Sequence, residues 1–167
     1  SEKGCRIPYH SSIAMKKYKK IIFVCTENTC RSVMAEAIMN GVKNTLKGGG
    51  ALEVISRGLV VLFPEPMNPK AVAILKSRGL EPLHEYSMAL EPEDLDSETL
   101  VITMTEAECL SVAERFGTEA DITTIRRFVG QKGDVEEPHG SLSEYGMFLE
   151  HLDLLVKMVA QAILKEE

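Results

Sequence analysis

The chain has no apolar run long enough to cross a bilayer and no leader-like apolar segment, so neither a spanning helix nor an export signal is expected. It has no internal repeat, no low-complexity stretch and no composition break that would mark a second domain. Positive charge is in deficit: 19 Lys and Arg stand against 25 Asp and Glu, a net −6 at pH 7. That balance disfavours nonspecific nucleic-acid binding, so any anion site must be local. The four cysteines, Cys5, Cys25, Cys30 and Cys109, show no zinc-ligand spacing, and neither a metal nor another cofactor is expected. Together with the lack of a leader-like segment, that cysteine pattern favours a reducing, cytoplasmic setting. At 167 residues the chain is long enough for one domain with a proper core.

What is present concentrates at residues 21–32, IIFVCTENTCRS. Ile21, Ile22, Phe23 and Val24 form a short, continuously apolar run, the pattern of a strand buried on both faces of a parallel sheet. From Val33 to Leu46 apolar residues recur at helical spacing, through Ala37, Ile38, Met39 and Val42. The segment from Cys25 to Cys30 therefore joins a strand to a helix N-terminus. Unpaired N–H groups and the positive end of the helix dipole gather there, and both favour an anion. The loop amides of Thr26, Glu27, Asn28, Thr29 and Cys30 can curl into a nest around phosphate oxygens, with Ser32 closing it. Arg31 adds a planar, permanently charged fork that suits two phosphate oxygens.

The same field is expected to lower the Cys25 pKa, since cysteines in such settings fall to roughly 3.5–7.5 from about 8.5. A thiolate at neutral pH would be the nucleophile, with the Ser32 hydroxyl donating to it. Asn28 sits mid-loop, where a left-handed backbone is needed, and Asn tolerates that conformation better than most residues. Cys30 shares the loop with Cys25. It reads either as an inert buried thiol or as a partner for a reversible Cys25–Cys30 disulfide that protects the nucleophile.

Transfer of a phosphoryl group to cysteine also needs a proton for the leaving group. The acidic segment Gly133-Asp134-Val135-Glu136-Glu137-Pro138-His139-Gly140, just before the last helix, is the candidate source.

At this point the chain resembles the low-molecular-weight protein tyrosine phosphatases, from about Lys19 to the C-terminus. The resemblance rests on VCTENTCRS at 24–32, on Ser56-Arg57-Gly58 after the second strand, and on the acidic loop followed by Ser143-Glu144-Tyr145. It implies Cys25 as nucleophile, Arg31 as phosphate clamp and a general acid in the position of Glu137, before Pro138. Within the family the chain looks most like the bacterial protein-arginine phosphatases, which carry Thr before the second loop cysteine where tyrosine phosphatases usually carry Ile. Thr29 holds that position, and its hydroxyl can bond a guanidinium or orient a water. Thr29 and His139 are the expected specificity residues.

Three departures stand out. Glu27 replaces the family's usual Gly, and a carboxylate beside a dianion weakens binding unless it points outward. Val33 replaces the usual Pro. Glu137 replaces Asp, which moves the proton by about 1 Å, a displacement that can matter for rate; neighbouring Glu136 is the alternative acid.

The remaining pattern gives strands at Leu52–Ser56, His84–Met88, Thr99–Thr103 and Asp121–Phe128 and a helical turn at Glu91–Leu95. A helix should start at Asn68-Pro69 and stop at Gly79. Another is boxed by Thr105 and Glu108 and ends near Phe116-Gly117. A long amphipathic helix from Ser143 to Lys165 carries Tyr145, Phe148, Leu149, Leu152, Leu155, Val156, Val159 and Ile163 on one face. Alternating strands and helices define an α/β fold, a single-domain doubly wound parallel four-stranded sheet with helices on both faces. Residues 1–18 lack periodicity and read as a disordered extension, tag remnant or mis-called start, with Met15-Lys16-Lys17 a plausible true start; the phosphatase domain is 19–167.

The expected partner is a phosphorylated protein, with no nucleic acid and no membrane, met by a monomer or weak dimer. The expected function is hydrolysis of phosphoarginine, or of phosphotyrosine, through a phosphocysteine. Its rivals are a phosphotyrosine-specific enzyme, a phosphoprotein-binding module weakened by Glu137 and Glu27, and an arsenate reductase, which needs more cysteines than this chain offers. A cysteine phosphocarrier would have no use for Arg31.

Overall fold

The computed structural model describes residues 17–117 and 119–164. Four strands form one parallel sheet: β1 (Lys20–Cys25), β2 (Glu53–Gly58), β3 (Thr99–Thr103) and β4 (Asp121–Thr124), in the order β2-β1-β3-β4. The helices are α1 (Arg31–Val42), α2 (Pro69–Ser77), α3 (Glu106–Phe116), the single turn α4 (Ile125–Phe128) and α5 (Leu142–Ile163). The alternation of apolar residues along β1 sorts the two faces. Ile21, Phe23 and Cys25 face the larger core, with Met34 and Met39 of α1, Leu75 of α2 and Leu149, Leu152 and Val156 of α5. Ile22 and Val24 face the smaller one, with Cys109 and Val112 of α3. The sheet is thus covered on both sides, and a chain of this length reaches that closure with one doubly wound layer.

The helix ends follow the sequence signals. The Asn68 side chain accepts from Lys70 N and Ala71 N at the start of α2. Thr105 and Glu108 form the expected reciprocal box, and α3 stops at Gly117 with φ +52°. Ser141, with Glu144, boxes α5 two residues ahead of the expected Ser143 start. Each such cap contributes about 1 kcal/mol.

Four expectations are corrected. The segment His84–Met88 is not a strand but an irregular loop, touching its neighbours through single bridges such as Pro66 with Tyr86. The last strand ends at Thr124 rather than Phe128, because the Thr124 hydroxyl accepts from Arg127 N and starts α4. The first helix ends at Val42, followed by a short tighter turn at Lys43–Thr45. The expected domain edge at residue 19 falls too late: Tyr18 is buried and donates to Asp121 Oδ2 at 2.6 Å. The rest of the expected extension, 1–16, lies outside the described residues.

Candidate active site

The loop at the carboxyl end of β1 is assembled by its neighbours. Leu59 N and Val60 N donate to Thr26 O at 2.9 and 2.8 Å, and Asn68 N donates to Thr29 O at 2.9 Å. Gly58, at the end of β2, lies so close that a Cβ would meet Asn28 Cβ at 2.9 Å and the Glu27 carbonyl carbon at 3.0 Å. Only glycine permits that approach.

Asn28 adopts φ 59°, the one non-glycine left-handed residue among those described, as its place in the loop required. Its side chain holds the turn from both ends. Nδ2 donates to Ser32 Oγ at 2.9 Å and to Ser56 Oγ at 3.0 Å, and Oδ1 accepts from Met88 N at 2.8 Å. Ser56 Oγ donates to Glu36 Oε1 at 2.6 Å and meets His84 Nε2 at 3.1 Å. His84 Nε2 is also 3.3 Å from Glu36 Oε1. A buried polar chain therefore runs from His84 to the loop, and its members are mutually satisfied.

Cys25 is 2 % exposed, with Sγ 3.0 Å from Ser32 Oγ. Burial pushes its thiol pKa up; the Ser32 hydrogen bond and the Arg31 charge pull it down, and Glu108 adds to the upward push. Burial is the largest influence, so the expectation of a lowered thiol pKa is corrected: desolvation and the carboxylate of Glu108 were not visible in the motif. Cys30, equally buried, is pushed up by burial and then by Glu137 and Cys25, which leaves it a quiet thiol at rest. Both are free cysteines, whereas Cys109, on the other face of the sheet, is disulfide-bonded.

Arg31 is held on three sides. Nη1 donates to Val135 O at 3.0 Å, Nε donates to Glu137 Oε1 at 2.9 Å, and Nη2 lies 3.2 Å from Glu108 Oε2. Burial works against its charge, but Cys25, Glu108 and Glu137 outweigh burial and raise its pKa.

Of the residues expected at the site, Cys25, Asn28, Arg31, Ser32 and Glu137 are brought together by direct contacts. Thr29 is half-buried in the same loop, and Glu27 is exposed. Glu136 and His139 are exposed on the acidic loop, and His139 lies close enough to Glu144 to help lower its carboxyl pKa, after the larger effect of Ser141. Asp134 serves structure: its Oδ1 accepts from Glu106 N at 2.9 Å at the head of α3.

Four residues escaped the sequence reading. Glu36 and His84 carried no motif. The Val135 carbonyl is a backbone group that no side-chain pattern marks. Glu108 carried a signal, the capping box, but the box uses one oxygen and says nothing of the other.

A strand–loop–helix turn holding a cysteine, a hydroxyl and an arginine, beneath an acidic loop at the carboxyl edge of a parallel sheet, fits a phosphate-handling cysteine enzyme. The low molecular weight phosphotyrosine protein phosphatase model matches residues 20–167, and the chain belongs to that family. It is 34 % identical over 151 residues to a protein-arginine-phosphatase of Geobacillus stearothermophilus, covering 89 % of this chain and 98 % of that one. It is 30 % identical over 140 residues to the low molecular weight protein-tyrosine-phosphatase PtpB of Staphylococcus haemolyticus, covering 82 % of this chain and 94 % of that one. Among solved structures, a cysteine-to-serine mutant of the YwlE arginine phosphatase with a phosphorylated active-site serine superposes with a TM-score of 0.77 at 32 % identity, covering 89 % of this chain and 97 % of that one.

Proposed function

We propose that the chain is a protein-arginine phosphatase working through a phosphocysteine on Cys25. The observation that supports the reading is the contact set Ser32–Cys25 and Arg31–Glu137, which joins the proposed nucleophile, clamp and acid across one loop and its cover. In the first step Cys25, its proton lost to bulk water, attacks as the thiolate: Sγ bonds to phosphorus while the P–N bond to the arginine breaks, and a protonated Glu137 gives its proton to the departing nitrogen. The loop amides and Arg31 hold the equatorial oxygens. In the second step a water attacks the phosphocysteine, Glu137 takes the water's proton, and the S–P bond breaks to return the thiolate to the Ser32 hydroxyl.

Glu137 suits the acid role because of its neighbours. Its Oε1 accepts from Arg31 Nε at 2.9 Å, and its half-exposed side chain stands at the edge of the phosphate fork, within reach of a leaving group. Glu136, exposed with no described contact to Arg31, is the weaker choice.

The arginine assignment rests on the half-buried Thr29 hydroxyl and on the arginine-phosphatase relatives, and a tyrosine phosphatase is the second reading, favoured by the PtpB relatives. Arsenate reduction is disfavoured because the free cysteines among the described residues are Cys25 and Cys30. Among those residues no helix is long and apolar enough to cross a membrane. The two free thiols of the loop favour a reducing, cytoplasmic setting, whereas the disulfide-bonded Cys109 does not.

Side-by-side turnover of phosphoarginine and phosphotyrosine peptides by the whole chain tests the assignment. Faster release of phosphate from phosphoarginine is expected; preference for phosphotyrosine selects the second reading. Phosphate binding with no turnover of either would make the protein a binding module.

A further inference from the structure

Glu108 caps α3 with one oxygen and does something unrelated to the cap with the other. Oε1 accepts from Met104 N and Thr105 N, each at 3.0 Å, which locks the carboxylate against the end of β3. Oε2 accepts from Thr26 Oγ1 at 2.8 Å and stands 3.2 Å from Arg31 Nη2. Thr26 is the first residue after the nucleophile and Arg31 is the first residue of α1, directly after the loop. One oxygen thus ties the two ends of the phosphate loop to each other and to the sheet.

The side chain of Glu108 is 5 % exposed, whereas that of Glu137, the other carboxylate on Arg31, is 50 % exposed. The guanidinium therefore has two fixed supports, Val135 O and Glu108, and one exchangeable one at Nε. A planar group held at two of its nitrogens has its plane set before any ligand arrives, and the Nε edge is left for an incoming oxygen once Glu137 moves.

We propose that Glu108 is a positioning residue for phosphoryl transfer, setting the plane of Arg31 and the path of the loop at Thr26 so that the phosphate fork is pre-formed. It touches neither substrate nor the reacting atoms and acts through Arg31. The inference rests on the phosphatase reading of the site. Its effect is pre-organisation, which is worth most in a buried site where charge develops.

The test uses the full chain as wild type, Glu108→Gln, Thr26→Val, Arg31→Lys and the Glu108→Gln/Arg31→Lys double variant. Turnover of p-nitrophenyl phosphate and competitive inhibition by inorganic phosphate are measured, with thermal midpoints as the check on folding. Gln keeps a carbonyl for the two backbone donors, so the cap survives while the charge facing Arg31 is lost. Glu108→Gln is expected to weaken phosphate inhibition and to lower kcat/KM by about tenfold or more, and Thr26→Val by a few-fold. In the Arg31→Lys background the same Gln change is expected to add less than about twofold, because no planar fork remains to be aligned. A role confined to the helix cap would give the same factor in both backgrounds.

That equal factor, or a folded Glu108→Gln enzyme whose phosphate inhibition stays within about twofold of wild type, would overturn the proposal. Should the Gln variant fail to fold, unchanged phosphate inhibition in Thr26→Val overturns it instead. Failure of the phosphatase reading would look different: the wild type itself would neither hydrolyse p-nitrophenyl phosphate nor be inhibited by phosphate.

Discussion

Glu137 Oε1 lies 2.9 Å from Arg31 Nε, on the guanidinium edge that the proposed mechanism gives to a phosphate oxygen. The Glu137 side chain is half-exposed.

Removing that charge should separate binding from chemistry. Glu137→Gln is expected to lower kcat by about 10²–10⁴, since proton transfer to the leaving group is lost. Inorganic phosphate is expected to inhibit the variant at least as tightly as it does wild type, because a competing anion has been withdrawn. Steady-state kinetics with and without phosphate read both; an unchanged kcat would remove Glu137 from the mechanism.

Thr29 should govern the leaving group. Thr29→Ile is expected to shift the ratio of phosphoarginine to phosphotyrosine turnover toward tyrosine by about tenfold or more, with Cys25 alkylation unaffected. Peptide pairs of matched sequence give the ratio directly, and an unmoved ratio would retire Thr29 as a selector.

The left-handed turn at Asn28 should be expensive to lose. Asn28→Ala removes the bonds to Ser32, Ser56 and Met88 and leaves an alanine at φ 59°. A loss of about 2–4 kcal/mol is expected from backbone strain plus unpaired buried partners. Asn28→Gly relieves the strain alone and should recover part of that stability without restoring turnover. Denaturant melts beside kinetics distinguish the two contributions.

His84 should remain charged above the ordinary histidine range. Its hydrogen bond to Glu36 raises its pKa first of all, burial opposes, and the Tyr86 carbonyl adds to the rise. Because the folded value lies above the unfolded one, the stability from this pair is fully present below about pH 6.5 and is lost as pH rises through the folded value. Proton NMR of the His84 ring should place its midpoint above 6.5, and Glu36→Gln should bring it down. A midpoint at or below the ordinary value would break the buried chain from His84 to Asn28.

The parallel sheet was legible because parallel strands buried on both faces read as apolar runs, as at 21–24 and 99–103; the order of its strands was not. The loop was legible because its chemistry is local: Cys25, Asn28, Arg31 and Ser32 lie within eight positions. What stayed hidden is long-range or dual-purpose. Glu108 looked finished as a cap. His84 reaches the loop only through Ser56, 28 residues away in sequence. The strand reading of 121–128 failed because Thr124, strand-forming by type, uses its hydroxyl to start a helix. The low thiol pKa failed because a motif shows the cations near a cysteine and not how deeply the fold buries it.

The central claim is that Cys25 carries the phosphoryl group between substrate and water. Mixing the enzyme with excess phosphorylated substrate, quenching in acid within milliseconds and mapping the modified peptide by mass spectrometry tests it directly. Phosphate on Cys25, absent in Cys25→Ala together with turnover, is the expected result. Turnover that survives Cys25→Ala, or a phosphate that maps to any other residue, would contradict it.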